Sequence, residues 1–215
     1  MTGPLQLIDR WRFGLLLALL LGLFLTQPFL DRSEFGQTFA VIAAGAILIG
    51  AFRVSVPDDR IGAIGMGLTA TWLVIYFVQG VFSDGDNHTA MLGVMATILL
   101  TGLNGWCTLK ALFSKRFTGI DTLYGAIFGY FLIALMWAQL YVAIELWAPG
   151  SFSFPEGGTK RSDLLYFSLV TMTTLGYGDI LPVGSFPRLI AGIQAAFGTL
   201  YIAILIGRIV NAIKD

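Results

Sequence analysis

Charged side chains are scarce in this sequence. Only 12% of the 215 residues are Asp, Glu, Lys or Arg, while 56% are hydrophobic, and the mean hydropathy is +0.80. A soluble globule of this size cannot bury so much apolar surface, so we expect the chain to lie in a lipid bilayer. The 13 basic residues balance the 13 acidic ones, and this neutral balance gives no indication of a nucleic-acid partner.

Cysteine is nearly absent as well. Cys107 is the single cysteine, which excludes a disulfide within the chain and a cysteine-cluster metal site. The long apolar segments also hold almost no ionisable side chains between their ends, whereas a membrane enzyme is expected to place paired ionisable groups inside its helix bundle. We therefore expect a protein that is not an enzyme and that has no organic cofactor.

Seven apolar stretches of 15 or more residues lack charged side chains. Six have 18 or more residues, enough to cross a bilayer with some tilt; they are residues 13–30, 35–52, 61–83, 87–109, 122–144 and 189–207. The stretch 164–178 has 15 residues and lies between two long segments, so we expect it to re-enter the membrane. We therefore predict an all-α integral membrane protein with six transmembrane helices and one re-entrant helix. No small-residue cleavage pattern follows the first stretch, so we expect it to be retained.

The basic residues indicate how the chain is oriented. Six spans and one re-entrant segment place both termini on the same side, and taking that side as cytoplasmic puts nine basic residues inside and four outside. The nine are Arg10, Arg12, Arg53, Arg60, Lys110, Lys115, Arg116, Arg208 and Lys214. We therefore expect a multi-pass protein of the cell (plasma or inner) membrane with both termini in the cytoplasm.

The short stretch has the dimensions of a loop that enters the membrane halfway. Ser162 is a candidate helix N-cap, and about eleven helical residues after it cover roughly 16 Å. Residues 174–178 are enough to return the remaining roughly 15 Å in extended form. Non-helical backbone at membrane depth is tolerated only where it lines water or is buried in protein, so we predict that this loop lines a pore. Gly176 and Gly178 permit backbone angles that aim successive carbonyls at an axis.

Rings of such carbonyls replace the water shell of K⁺ in potassium channels. One chain supplies one wall of the ring, so we predict a homotetramer with four-fold symmetry. The expected partners are three identical subunits, the lipid bilayer and K⁺ ions, with no nucleic acid and with K⁺ in the filter in place of a cofactor.

Residues 173–179, Thr-Thr-Leu-Gly-Tyr-Gly-Asp, resemble the filter signature of tetrameric potassium channels in the voltage-gated-like superfamily. The resemblance extends through 165–168 and 181–183 to an inner helix, and covers Thr122 to about Ala212. It implies a six-transmembrane, prokaryotic-type subunit. It also implies that the Thr174 hydroxyl and four backbone carbonyls bind K⁺ in the filter; the carbonyls are those of Thr174, Leu175, Gly176 and Tyr177. Gly178 completes the ion-binding segment. The resemblance further implies that the Tyr177 side chain packs outward against the pore helix.

The chain departs from the family pattern around the filter. Leu175 stands where valine is commonest, and Val170 where some bacterial members have glutamate. Tyr166 and Phe167 replace a pair that is often two tryptophans, so the usual indole bond to the filter aspartate is lost. We hypothesise that the Tyr166 hydroxyl bonds Asp179 instead.

Further supporting and gating roles follow from the same resemblance. Thr173 and Glu145 are candidate filter supports; Glu145 resembles a family glutamate that braces the entrance of the pore helix, or is a solvated interfacial acid. Gly198 stands where the family carries its hinge glycine, although a packing role is an equal alternative. The inner-gate candidates, which would close the pore by dewetting, are Ile204, Ile206 and Ile209.

These assignments divide the chain into four parts. The first two are a cytoplasmic N-terminus and a four-helix transmembrane domain with voltage-sensor-like topology but no gating charges. A short linker and a pore domain follow, and we expect no cytoplasmic nucleotide- or calcium-sensing domain after the last span. The predicted bounds are 1–12, 13–113, 114–121 and 122–212, with the outer helix at 122–148, the pore helix at 162–173, the filter at 174–179 and the inner helix at 187–212.

The main function predicted is therefore passive, potassium-selective conduction. A cation channel without selectivity is one alternative, and Tyr177 argues against it because relatives that lose selectivity commonly replace this tyrosine or a neighbouring glycine. A non-conducting accessory membrane protein is the other alternative, which requires a pore that never conducts alone.

The fourth apolar segment predicts the response to voltage. From His88 to Leu112 its only cation is Lys110, whereas voltage sensors carry several arginines at this place, and steep opening needs several charges crossing the field. We predict weak or absent voltage dependence. Conductance measured against voltage in symmetric solutions should rise shallowly, and a steep sigmoidal curve would refute the prediction.

Overall fold

The computed structural model describes the backbone of residues 11–30, 33–56, 59–82, 87–113, 120–155 and 160–214. Within these ranges it describes the side chains apart from those of residues 34, 59, 75–82, 87–88, 113, 160 and 206–214. The described residues form seven helices: α1 (Arg12–Leu30), α2 (Glu34–Ser55), α3 (Asp59–Phe82), α4 (Asn87–Phe113), α5 (Ile120–Trp147), α6 (Lys160–Met172) and α7 (Ser185–Lys214). Two short strands, β1 (Phe152–Ser153) and β2 (Leu181–Pro182), pair antiparallel.

The described helices differ in their capacity to cross a membrane. Five of them are long and apolar enough: α1, Phe35–Ser55 of α2, Thr89–Leu112 of α4, α5, and Ser185–Leu205 of α7. The apolar stretch described in α3 is the shorter Arg60–Val74. With 13 residues, α6 is roughly 20 Å long and does not reach across a bilayer core of about 30 Å. The prediction of a helical membrane protein is confirmed.

The chain divides into two compact units. The first comprises Met1–Ser83 and Leu99–Leu132, and in it α1 packs on α2 and α2 on α3. Its helices approach closely at glycines: a Cβ added to Gly125 of α5 would lie 2.8 Å from a Leu112 side-chain carbon of α4. Hydroxyl and amide groups also link the helices, since Asn104 of α4 donates to the Leu48 carbonyl of α2 at 3.3 Å. Such contacts replace the hydrophobic driving force that helices lack in lipid.

The second unit comprises Asp84–Ile98 and Ile133–Asp215. Its core contains three aromatic rings from α5, β1 and α6, namely Tyr141, Phe152 and Phe167, whose centroids lie 5.1–5.5 Å apart. The rings meet edge to face, the arrangement that aromatic pairs prefer. The cluster thereby joins the end of α5 to α6, the helix that leads to the candidate filter.

The observed helix bounds differ from the predicted bounds by a few residues. The helix α6 begins at Lys160, two residues before the predicted 162, so Ser162 lies inside the first turn and its assignment as N-cap was wrong. The helix α5 begins at Ile120, which moves Asp121 from the predicted linker into a helix. The pair β1–β2 was not predicted, because two residues per strand are too few to show the alternation of a strand.

One prediction concerns Asp121, which is only 8% exposed. Its carboxylate accepts hydrogen bonds from the backbone N–H groups of Phe13, at 3.1 Å, and Gly14. These two amides belong to the first turn of α1, where helix N–H groups lack partners within the helix and favour a negative charge. We expect Asp121→Ala to lower the free energy of unfolding by about 1–2 kcal/mol. The control Asp121→Asn keeps an acceptor oxygen, so we expect a smaller decrease in its free energy of unfolding.

Thermal unfolding of the purified protein in detergent measures this difference. A melting temperature of Asp121→Ala equal to that of the wild type would contradict the assigned role.

Candidate functional site

The chain leaves α6 into a non-helical segment, residues 173–180, that is bonded back to the helix end. The Val170 carbonyl of α6 accepts the backbone N–H of Leu175 at 2.9 Å and that of Gly176 at 3.4 Å. Carbonyls in the last turn of a helix have no partner within the helix. The bonds therefore satisfy α6 and at the same time fix the start of the segment to it.

Two threonines strengthen this junction. The Thr173 hydroxyl donates to the Leu169 carbonyl at 2.8 Å, and the Thr174 backbone N–H donates to the Thr171 carbonyl at 3.0 Å. Thr173, predicted as a filter support, thus contacts the last turn of α6. The base of the segment is held by backbone and side-chain bonds together.

These hydrogen bonds determine where two carbonyls point. In a trans peptide the C=O points opposite to the N–H, and the described residues contain no cis peptide. The N–H of Leu175 shares its peptide with the C=O of Thr174, and the N–H of Gly176 shares its peptide with the C=O of Leu175. Because both N–H groups point at Val170 of α6, the carbonyls of Thr174 and Leu175 point away from α6.

The backbone alternates in handedness along the segment. The φ angle is +58° at Thr174, +55° at Gly176 and +79° at Gly178, and the residues between them have no positive φ. Such alternation turns successive peptide groups the same way. An added Cβ at Gly176 or Gly178 would meet nothing within 4 Å, so the left-handed backbone, and not a lack of space, requires glycine there. Thr174 adopts this conformation despite its β-branch, which is a strained state typical of functional segments.

The segment is open to the outside in a single chain. Residues 173–179 are all exposed, with Leu175 at 56% and Tyr177 at 67%. Exposed backbone carbonyls at membrane depth require water, ions or further protein around them.

Tyr166 of α6 contacts the segment at two places. Its ring stacks on that of Tyr177 with centroids 6.5 Å apart and an interplanar angle of 1°, and its hydroxyl is hydrogen-bonded to the Asp179 side chain. Asp179 also accepts the N–H of Ile180 at 3.1 Å. The contact that the sequence suggested between Tyr166 and Asp179 is therefore present.

A cavity of about 180 Å³ separates the segment from α6. The lining residues from α6 include Val170 and Phe167, and those from the segment include Gly176, Gly178 and Asp179. Val170 therefore presents an apolar side chain behind the segment.

Glu145 lies at the end of α5 and is only 7% exposed. Its Oε1 accepts the N–H of Gly150 at 3.0 Å and its Oε2 that of Phe152 at 3.2 Å. The alternative of a solvated interfacial acid was therefore wrong. Glu145 fixes β1, which pairs with β2 directly after the segment, so the segment is held at both of its ends.

The gating candidates are described in part. Gly198 lies where α7 passes closest to α6: an added Cβ would lie 2.1 Å from the Met172 carbonyl oxygen. This contact is a packing reason for glycine, and α7 is one continuous helix through it. Ile204 is exposed, whereas the side chains of Ile206 and Ile209 lie outside the described residues.

One buried side chain was missed by the sequence reasoning. Gln194 of α7 is 0% exposed, and Ser168 and Tyr141 are equally buried. The Tyr141 hydroxyl donates to Gln194 Oε1, while Gln194 Nε2 donates to Ser168 Oγ at 2.7 Å. A glutamine inside an apolar span is itself a signal that could have found it.

The candidate filter and α7 lie in a part of the chain that matches a known protein family. Residues 124–215 match a family described as ion channel. Protein LctB of Geobacillus stearothermophilus is 30% identical over 129 residues, which are 56% of this chain and 93% of LctB. The potassium voltage-gated channel protein shk-1 of Caenorhabditis elegans is 37% identical over 79 residues, 34% of this chain and 15% of that protein. Two-pore potassium channel 5 of Arabidopsis thaliana is 42% identical over 53 residues, 25% of this chain and 13% of that protein.

No solved structure matches the chain at a significant level. The chain spans nearly the whole length of LctB but only a small part of the two longer relatives. The matched region and the apolar helices together make this a multi-pass membrane protein. The resemblance seen in the filter sequence is confirmed: the chain is related to LctB over nearly the whole length of that protein, two further relatives are named potassium channels, and the chain belongs to the ion channels.

Proposed function

We propose that this chain is the subunit of a potassium-selective channel and that K⁺ passes along residues 174–178. The observation that carries the proposal is the direction of the Thr174 and Leu175 carbonyls, which point away from α6 because their partner N–H groups bond Val170. A ring of such carbonyls replaces the water shell of K⁺. The helix α6 ends at Met172, so the negative end of its dipole also favours a cation near the filter base.

Potassium is favoured over other cations by the residues around the filter. The stack of Tyr177 on Tyr166 supports the filter from the side, and both left-handed glycines are present. Two relatives of the chain are named potassium channels. A channel without selectivity is the alternative, and a non-conducting accessory protein is a further one.

Four copies around one axis form the proposed assembly. One chain supplies only one wall of a carbonyl ring, and residues 173–179 are exposed in the single chain. The helix α7 carries a matching exposed stripe at helical spacing, formed by Leu189, Ile193, Phe197, Leu200 and Ile204. Burial of this stripe against neighbouring copies or around the pore would complete the subunit, which supports a homotetramer.

The remaining features concern topology and voltage. We count α3 as the sixth span, so that both termini lie in the cytoplasm of a plasma or inner membrane. Lys110 is the one lysine or arginine of α4 and lies in its last turn, which supports conduction with little or no voltage dependence.

The first test is the reversal potential of purified protein in planar bilayers, with K⁺ on both sides at different concentrations and Na⁺ added to balance the gradient. We expect reversal near the K⁺ equilibrium potential and loss of this selectivity in Gly176→Asp, because an aspartate strains the left-handed backbone and adds charge in the filter. The matched comparison is Gly176→Ala, which strains the same left-handed backbone in the same open space but adds no charge, so it should lose less selectivity.

Reversal near zero in the wild type would favour the non-selective alternative. Absence of current at every voltage and pH, with the protein assembled, would favour the accessory protein.

The second test concerns Tyr166, which combines ring stacking on Tyr177 with a hydrogen bond to Asp179. Tyr166→Phe keeps the ring and removes the hydroxyl, so we expect K⁺ current to decline roughly fivefold faster when external K⁺ is lowered, since Asp179 loses a support. Tyr124→Phe is the control, because Tyr124 also packs on an aromatic ring, that of Trp11. Equal rates of decline in Tyr166→Phe and the wild type would show that the hydroxyl does not support the filter.

A further inference from the structure

A chain of hydrogen bonds crosses the buried space behind α6. It is formed by Tyr141 and Ala134 of α5, Ser168 of α6 and Gln194 of α7, and we call it the Gln194 network. Gln194 Nε2 donates to the Ser168 carbonyl at 3.0 Å as well as to Ser168 Oγ at 2.7 Å. Ser168 Oγ donates to the Ala134 carbonyl at 2.7 Å. The network thus joins three helices at a single buried amide.

The direction of each bond in the network is determined. The Ala134 carbonyl only accepts, so the Ser168 hydroxyl proton points to it and Ser168 Oγ accepts from Gln194. The Tyr141 hydroxyl donates to the other end of the amide. Every polar atom of the Gln194 side chain therefore has a partner, and a side chain without both a donor and an acceptor cannot replace it.

Burial makes the network costly to disturb. Tyr141, Ser168 and Gln194 are each 0% exposed, and the helices around them are apolar. Removal of one partner leaves the others unpaired in a medium without water, which costs more than the loss of an exposed hydrogen bond.

The network acts on the part of α6 that carries the filter. Ser168 lies two residues before Val170, whose carbonyl holds the N–H groups of Leu175 and Gly176. One turn further along both helices, Gly198 of α7 meets the Met172 carbonyl of α6. The two helices therefore touch at two successive turns, and a shift of α6 against α7 requires that both contacts change.

We propose that Gln194 is a positioning residue for selective conduction. It fixes α6 against α5 and α7, and through Val170 it fixes the carbonyls of Thr174 and Leu175 in the geometry that binds K⁺. This inference rests on the proposed potassium selectivity. It adds a determinant that lies outside the filter and contacts no ion.

The test compares Gln194→Met with the wild type by reversal potential. Methionine matches glutamine in length but offers neither the donor nor the acceptor, so the K⁺/Na⁺ permeability ratio should fall about tenfold. The reversal potential does not depend on how many channels are folded, so a loss of stability alone leaves it unchanged. The control is Gln37→Met, since Gln37 is exposed on α2, and it should keep the wild-type ratio.

A milder variant removes the outer bond of the network. Tyr141→Phe should lower the permeability ratio less than Gln194→Met does, and should add nothing in the double variant, because its partner is already absent. This variant also serves if Gln194→Met does not assemble. Independent, additive effects of the two substitutions would overturn the network as one unit.

Hydrogen exchange supplies a readout that does not require conduction. The backbone amides of Leu175 and Gly176, which are bonded to Val170, should exchange several-fold faster in Gln194→Met, while that of Phe13 in α1 should not change. A wild type that reverses near zero would refute the proposed function but leave this measurement valid. Wild-type exchange at Leu175 and Gly176 in Gln194→Met, or an unchanged permeability ratio in a selective channel, would overturn the inference.

Discussion

The bond pair between the Val170 carbonyl and the N–H groups of Leu175 and Gly176 is the contact on which the site depends. A helix that stops inside a membrane leaves carbonyls without partners, and an extended segment leaves N–H groups without partners; neither is tolerated in lipid. Here the Val170 carbonyl at the helix end accepts the N–H groups of the extended segment, so both requirements are met by the same bonds. The same bonds turn the carbonyls of Thr174 and Leu175 away from the helix, so the contact that satisfies the helix end also sets the direction of these two acceptors.

The surroundings of α6 satisfy the same requirement by other means. Glu145 supplies two acceptors to the turn that follows α5, and Gln194 supplies one acceptor and two donor bonds between helices. Both side chains are buried and fully engaged, as polar groups in an apolar environment must be. Glu145 thereby holds the backbone of a turn, and Gln194 bridges three helices.

The sequence was sufficient to predict the membrane setting, the non-helical segment after a short helix and the contact between Tyr166 and Asp179, because each depends on local residue types or on a specific motif. The pair β1–β2 and the hydrogen bonds of Gln194 depend on which segments meet in space. Gln194 and Ser168, for example, are 26 residues apart in the sequence. The spacing of apolar residues along the chain does not indicate such contacts. Ser162 illustrates a further limit. Its residue type suits an N-cap, but α6 starts two residues earlier.

The antiparallel pair of Phe152 with Pro182 and of Ser153 with Leu181 closes a loop that contains all of α6 and the filter. Both strands belong to one chain, so the entropy of closing this loop is lost within a single subunit and does not have to be recovered from association. In the proposed assembly, each subunit would therefore have the carbonyls of Thr174 and Leu175 oriented before it meets another copy. Association of four such copies would join preorganised surfaces, which lowers the entropy cost of ordering them on binding.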